Sequence, residues 1–479
     1  MPEHTPRNAP ATSPSNAPQL LRTMGLFSLV VYGVGDMVGS GIYGTVGDAA
    51  AQMGNAVWLA FGVSMLAAVL TGLSYASIAS RYPRAAGAAY VTQRAYRFAF
   101  LSYLIGLMVT ASGLTSMATQ TNVFARTVLG LVSAEPAVAM NSWPWYVVAL
   151  TFLGVLTLIN FWGMRQSMWT NLLCTIVEVG GLLFIIAVGA RFWGSVNYFE
   201  TPSATFDADG RMLDHGLGLG MLMAGSVLTF FSFIGFEDML NVAEEVKEPR
   251  RTMPRGIVLA LLVATLLYIG VAVTTVSVVH HQDFRQVDLS PLARVTLGAA
   301  PWLPARTFDF VTLFAVSNTM LINYIMGSRL LYGMARQGLL PAILGRVHRA
   351  RHTPHVAILV LLAAVLVLAV SGGADAVKQL ADATALLLLC SFIVVNASLI
   401  ALKLRRGEPA GDFEVPILIP ALGIFVNLTM IVARVASAEA GVRALAIAGV
   451  IVACISALYF VIRPKNVTEE ALAAIEQET

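Results

Sequence analysis

Long uncharged stretches alternate with short polar breaks along almost the whole chain. Apolar runs of about twenty residues recur, each long enough at about 1.5 Å per residue to cross a hydrocarbon core about 30 Å thick. These runs and breaks predict twelve helices, near residues 24–50, 54–80, 98–131, 144–164, 168–190, 216–246, 254–279, 307–336, 355–371, 377–402, 416–436 and 441–462. The third is longer than a perpendicular crossing needs and should be strongly tilted. Before the first helix, Pro2, Pro6, Pro10, Pro14 and Pro18 punctuate a polar segment without the apolar core of a cleaved signal, so residues 1–20 read as a disordered tail that is kept. Residues 465–479 read as a second tail, in which 468–476 suits one short amphipathic helix.

Composition supports a membrane protein. The 479 residues are 57% hydrophobic and 12% charged, about half the charge fraction of a soluble domain, and water would not keep such a chain in solution. Only Arg191, Arg211, Arg285, Arg294, Arg306, Lys378, Arg434 and Arg443 fall on the side opposite the N-terminus, and Arg126 lies inside a helix; the rest of the 30 Lys and Arg fall on the N-terminal side. Cytoplasmic loops hold the basic excess, so both termini are expected in the cytoplasm, which requires an even number of spans. The net charge of +3 reports this topology and not nucleic-acid binding. Cys174, Cys390 and Cys454 sit inside apolar runs, as small core residues do, and suggest neither a disulfide nor a metal site.

Two of the predicted helices carry weak points. Residues 34–44 put four glycines, Gly35, Gly39, Gly41 and Gly44, into the first span, each costing about 1 kcal/mol relative to alanine in a helix interior. Unwinding at Gly39-Ser40-Gly41 would free backbone N–H groups at the start of the outer half-helix, where the positive end of the dipole also points, and so form a carboxylate site. Five spans later, Phe231-Ser232-Phe233-Ile234-Gly235-Phe236-Glu237 interrupts the sixth span, at the position expected for two five-helix repeats of inverted topology. Its freed carbonyls would accept from an ammonium. Donors at one break and acceptors at the other suit a zwitterion such as an amino acid. The plainer alternative is that the glycines let helices approach closely.

With these residues in place, the chain resembles the amino acid–polyamine–organocation permeases, whose members share a leucine-transporter-like fold. The resemblance runs from about Leu21 to Pro464 and rests on four segments taken together. They are Gly39-Ser40-Gly41-Ile42-Tyr43, the loop from Arg81-Tyr82-Pro83-Arg84 to Tyr90, Phe233-Ile234-Gly235-Phe236-Glu237 leading to Ala243-Glu244-Glu245-Val246-Lys247-Glu248-Pro249, and Ser328-Arg329 through Met334-Ala335-Arg336-Gln337-Gly338-Leu339-Leu340-Pro341. It implies an all-α polytopic membrane protein with a first repeat at 21–195, an inverted second repeat at 215–405 and two further helices at 414–464. It also implies secondary active transport of an amino acid or related amine by alternating access. The substrate carboxylate would meet the backbone of Ser40, Gly41 and Ile42, and its ammonium the carbonyls of Phe231, Ser232 and Ile234. Phe231 and Phe233 match aromatic positions that cover the substrate, although helix packing explains either equally well.

Ionisable groups at membrane depth are expensive and each needs a reason. Glu178 lies in the fifth span where some proton-coupled relatives have lysine. A carboxyl there is able to take up and release a proton, which makes it the candidate coupling residue; a permanently protonated carboxyl bonded to the first or eighth span, or a sodium ligand, are the alternatives. Glu237 and Asp238 follow the second break, where the helix dipole stabilises acids whatever else they do. In polyamine-handling relatives an acid matching Glu237 holds the cationic substrate. Asp36 lies one turn before the first break, and it would bind a cation, pair with a base or tune the inner gate. Ser317, Asn318 and Thr319 offer oxygens that could hold sodium against the first span, though buried hydroxyls more often bond their own helix. Arg126 is expected near enough to the outer surface to snorkel. All seven histidines fall in predicted loops or at helix ends, which argues against a histidine relay. On the cytoplasmic side, Arg81, Arg84, Glu244, Glu245, Lys247, Arg250 and Arg251 are candidate gate residues, or simply basic topology markers with acids nearby.

No H-E-x-x-H, G-x-S-x-G or paired C-x-x-C pattern points to an enzyme, and no cofactor is called for. The leading expectation is proton symport of an amino acid. Exchange of cationic amino acids or polyamines is the alternative, and a transporter-like sensor a more remote one.

Overall fold

A computed structural model describes residues 20–132, 142–206, 212–285, 290–304, 306–371, 374–436 and 438–464. The expected tails at 1–20 and 465–479, with the short helix at 468–476, lie outside the described residues apart from Leu20. Among these described residues, fifteen α-helices dominate. In chain order they are α1 (Leu26–Met37), α2 (Ser40–Met53), α3 (Val57–Arg81), α4 (Gly87–Tyr96), α5 (Ala99–Val132), α6 (Trp143–Trp162), α7 (Met164–Gly189), α8 (Leu219–Phe230), α9 (Pro249–Val278), α10 (Pro291–Ala299), α11 (Thr307–Arg336), α12 (His355–Ser371), α13 (Ala374–Leu404), α14 (Leu418–Ala436) and α15 (Ala438–Ile462). Between α7 and α8 lies a small antiparallel pair, β1 (Thr205–Phe206) and β2 (Met212–Asp214).

Among the described residues, ten helical stretches are long and apolar enough to cross a membrane, and Leu26–Met37 and His355–Val370 are shorter apolar helices. One of the ten, Gly41–Arg81, joins two expected spans because the chain passes from α2 to α3 with no polar loop between them. Gly54 makes that turn: its φ is +65°, and a Cβ there would lie 2.8 Å from the Glu200 carbonyl oxygen, so both conformation and space require glycine. At 34 residues, α5 would be about 51 Å long, well beyond a perpendicular crossing.

The core is built around the two interrupted helices. The helices α1 and α2 are wrapped by α7, α9 and α11, while α5 packs along α11 and α13. Many faces turned away from this core carry large apolar side chains, among them Leu158, Ile176, Leu266 and Phe425. Bare apolar surface on that scale suits a hydrocarbon solvent and not water. The helices α4 and α10 and the β pair fall in segments that hydropathy alone reads as loops.

Candidate functional site

The first break falls at Val38-Gly39, one or two residues earlier than expected. α1 ends at Met37, Gly39 leaves the helix at φ −53°, ψ −149°, and α2 begins at Ser40. The N–H groups of Ser40, Gly41 and Ile42 therefore have no carbonyl one turn earlier in their own helix. Close packing fixes the same glycines. A Cβ on Gly39 would overlap the Thr319 hydroxyl, and one on Gly35 would lie 2.5 Å from Asn318 Nδ2. Helix breaking and close approach thus act at the same positions.

At the second break, α8 tightens into a 3-10 turn over Phe231–Phe233, Ile234 is extended and Gly235 sits at φ +131°. A second 3-10 segment, Phe236–Glu245, then runs to the N-terminal face. The Gly235 N–H donates to Glu237 Oε2 at 2.9 Å, so that carboxyl caps its own segment. The breaks touch each other: a Cβ on Gly41 would lie 2.9 Å from Ser232 Cα, and the Thr45 and Ser232 hydroxyls are 2.7 Å apart. Tyr268 of α9 ties them further, its hydroxyl reaching both the Met37 carbonyl and, at 2.7 Å, the Ser232 carbonyl.

Between the breaks lies a cavity of about 570 Å³, the size of a small-molecule site. Gly41, Thr45, Phe231, Ile234, Glu237 and Thr319 line it, together with Asp36, Asp238, Gln120 and Asn323. It extends toward the face opposite the N-terminus, where Asp48, Arg126, Asp382 and Arg434 stand at its wall. Arg434 and Asp382 pair there at 3.0 Å. Arg126 is exposed and also lines this cavity.

Other expected residues lie behind this surface. Gly39 and Ile42 are buried beneath it. Phe233 is fully buried and packs edge-on against Tyr268, with ring centroids 4.9 Å apart. The Ser317 hydroxyl bonds the Leu313 carbonyl, and the hydroxyl of Thr319, which does line the cavity, bonds the Ala315 carbonyl, each within its own helix. Glu178, also fully buried, accepts from Asn318 Nδ2 at 3.2 Å. The same Nδ2 lies 3.0 Å from Thr175 Oγ1 and 3.4 Å from the Gly35 carbonyl, while Asn171 Nδ2 donates to Asn318 Oδ1 at 2.9 Å. Glu178 is therefore one side chain away from the backbone of the first break.

The N-terminal face is shut. Thr23 and Met24 donate their N–H groups to the Glu245 carbonyl at 2.9 and 3.0 Å, and Lys247 donates back to the Met24 carbonyl at 2.8 Å. Beneath them Arg329 Nη2 pairs with Glu245 Oε1 at 3.3 Å, both side chains buried, and Nη1 donates to Asn160 Oδ1 at 2.8 Å. An outer layer joins the end of α3 to the segment between α13 and α14. Arg81 meets Glu414 at 2.6 Å, Lys403 meets the same carboxyl, and Glu408 accepts from Tyr82 at 2.7 Å and from Arg94 at 3.1 Å. Partial burial would raise the Glu414 carboxyl, but hydrogen bonds from Arg81, Lys403 and the Gly411 N–H outweigh it and hold it at about 2.

The sequence offers Glu245 as a gate candidate but Arg329 only as part of a family segment and not as its partner, and Tyr268, Glu408 and Glu414 go unnamed. Arg329 left a usable signal, because a guanidinium inside an apolar helix demands a carboxylate and few lie at that depth. Tyr268 left none.

Paired discontinuous helices around a central cavity, in an otherwise all-helical membrane chain, define a transport protein. The chain belongs to the amino acid permease family, which it matches over residues 24–458, and is a transporter rather than an enzyme. It is similar to the branched-chain amino acid permease BcaP of Bacillus subtilis, 26% identical over 433 residues and covering 87% of this chain and 89% of that one. Chloroplastic cationic amino acid transporter 9 of Arabidopsis thaliana is 28% identical over 357 residues, 72% of this chain and 60% of that longer protein. The methylthioribose transporter of B. subtilis is 25% identical over 413 residues, 84% and 86% of the two chains.

Proposed function

We propose that the protein carries an amino acid across the cytoplasmic membrane by alternating access, in symport with a proton. In this reading twelve spans form a five-plus-five inverted repeat with two further helices, and both termini are cytoplasmic. The shut N-terminal face is then the inner gate. The observation that carries the proposal is the cavity at two touching helix breaks. Free N–H groups at the start of α2 receive the carboxylate, the carbonyls of Phe231, Ser232 and Ile234 receive the ammonium, and Phe231 covers the substrate. Glu178 is the coupling residue: through Asn318 its protonation is felt at the Gly35 carbonyl, in the last turn before the first break.

Purified protein in liposomes tests this with a panel of labelled amino acids and diamines, with and without an inward proton gradient. Concentrative uptake of a zwitterionic amino acid only with the gradient, lost in Glu178→Gln, supports the reading. Uptake that ignores the gradient, requires substrate inside and survives Glu178→Gln contradicts it and supports exchange. One observation favours that second reading. Asp36, Glu237 and Asp238 all line the cavity and are nine-tenths buried or more, which suits a substrate with an extra cationic group, and relatives named for cationic amino acids are among the similar proteins.

A further inference from the structure

A second cavity, of about 590 Å³, lies on the N-terminal face, away from the helix breaks. Its walls come from the segment ahead of α1, the turn between α3 and α4, the first turn of α9 and residues 409–412. Five arginines line it, Arg22, Arg81, Arg84, Arg250 and Arg251, against two acids, Glu248 and Asp412. Two of the arginines are matched, Arg81 by Glu414 at 2.6 Å and Arg251 by Asp412 at 3.2 Å. Arg22, Arg84 and Arg250 have no ion pair or side-chain hydrogen bond among the described residues. The most informative of them is Arg84, only 7% exposed. The nearby Glu244 gives its Oε1 to the Ala85 N–H at 3.1 Å and influences Arg84 and Arg22 only at longer range. The Arg84 guanidinium thus stands at the pocket wall with no carboxylate in ion-pair contact and only the longer-range attraction of Glu244. An excess of basic residues on one face explains exposed arginines, but it does not require one to be set this deep, facing a pocket, without an ion pair.

We infer that this cavity binds a phosphate-bearing anion. Several guanidinium groups line one pocket that opens on the N-terminal face, and their forked donors fit phosphate oxygens two at a time. The N-terminus of α9 opens onto the same space, with Pro249 as its first residue, and adds the positive end of its dipole; the Arg251 and Thr252 N–H groups are already taken by the Glu248 carbonyl. The group is supplied either by the headgroup of an anionic phospholipid or by soluble phosphate.

The test uses the full chain, purified in detergent and stripped of lipid. Thermal unfolding is followed while adding inorganic phosphate against chloride of equal ionic strength, and separately phosphatidylglycerol against phosphatidylcholine. Arg84→Gln and Arg250→Gln are compared with Arg349→Gln, an exposed basic position outside the cavity. The expected result is a rise in unfolding temperature with phosphate, phosphatidylglycerol or both, unchanged in Arg349→Gln, with the half-effective concentration raised about tenfold or more in the cavity variants. A rise with inorganic phosphate assigns the site to the free anion, and a rise with phosphatidylglycerol alone assigns it to the lipid. No rise with either, or an equal rise in all variants, overturns the proposal. Arg250 is exposed, so its variant keeps the test decisive if Arg84→Gln fails to fold.

Discussion

The two ends of the central pathway are built differently. Toward the opposite face, α2, α5, α13 and the second break stand apart around a cavity with charged residues at its wall. Toward the N-terminal face, the same two broken helices are sealed by backbone hydrogen bonds to Glu245 and by the buried Arg329–Glu245 pair, and around them a third layer, the carboxyls Glu408 and Glu414, ties α3 and α4 to the segment between α13 and α14. At the N-terminal end, then, hydrogen bonds and ion pairs close the space that at the other end is a cavity, and under the proposed alternating access this end is the one that opens. The layers differ in dielectric surroundings, so their energetic weights should differ as well.

The largest effect is expected at the buried pair. Arg329→Gln leaves Glu245 without its charge partner and should cost about 3–5 kcal/mol, read as a lower unfolding temperature and a more protease-accessible N-terminal face. The double variant Arg329→Gln, Glu245→Gln should recover part of that loss, and additive losses would show that the pair is not coupled. Next comes the seam between the breaks. Gly41→Val forces a side chain against Ser232; losing two charge-assisted hydrogen bonds to a substrate carboxylate, about 3 kcal/mol, weakens binding about 100-fold. Normal substrate affinity in that variant would detach the cavity from the breaks. Tyr268→Phe removes one hydroxyl from two carbonyls and should cost about 1 kcal/mol, seen as slower uptake with little change in folding. The smallest effect belongs to the outer layer, where Glu414→Gln should cost less than about 1 kcal/mol because the pair is partly solvated. Glu414 is held below its ordinary value of 4.5, so its contribution is complete above pH 4.5 and fades only as pH falls toward about 2. Unfolding midpoints measured from pH 8 down to pH 5 should therefore show no loss attributable to this group.

Much of this arrangement was legible in the chain, and the reason differs from part to part. Hydropathy runs placed most helices within a few residues, since a 30 Å apolar slab imposes a length that few other signals mimic. The breaks were legible because glycine carries a local cost, although tertiary packing against Thr319 and Asn318, invisible in sequence, shares responsibility for Gly39 and Gly35. The gate candidates of the N-terminal face read as one group in sequence, yet Arg81 and Arg251 pair with Glu414 and Asp412 instead. Those contacts span more than 150 positions and follow from how helices stack, not from local pattern. Phe233 and Tyr268 illustrate the same limit, because the rotation of a helix about its axis decides which side chain meets the cavity.

The central claim is that the two backbone breaks bind the ends of an amino acid, and blocking each end of the ligand tests it most directly. Binding of labelled leucine and lysine to the purified protein would be competed with the free amino acids, their methyl esters and their N-acetyl derivatives. The account predicts that whichever free amino acid binds, both its ester and its N-acetyl form compete at least about 100-fold more weakly, because each blocks a charge met by one break. An ester or N-acetyl derivative that competes as well as its parent would contradict it.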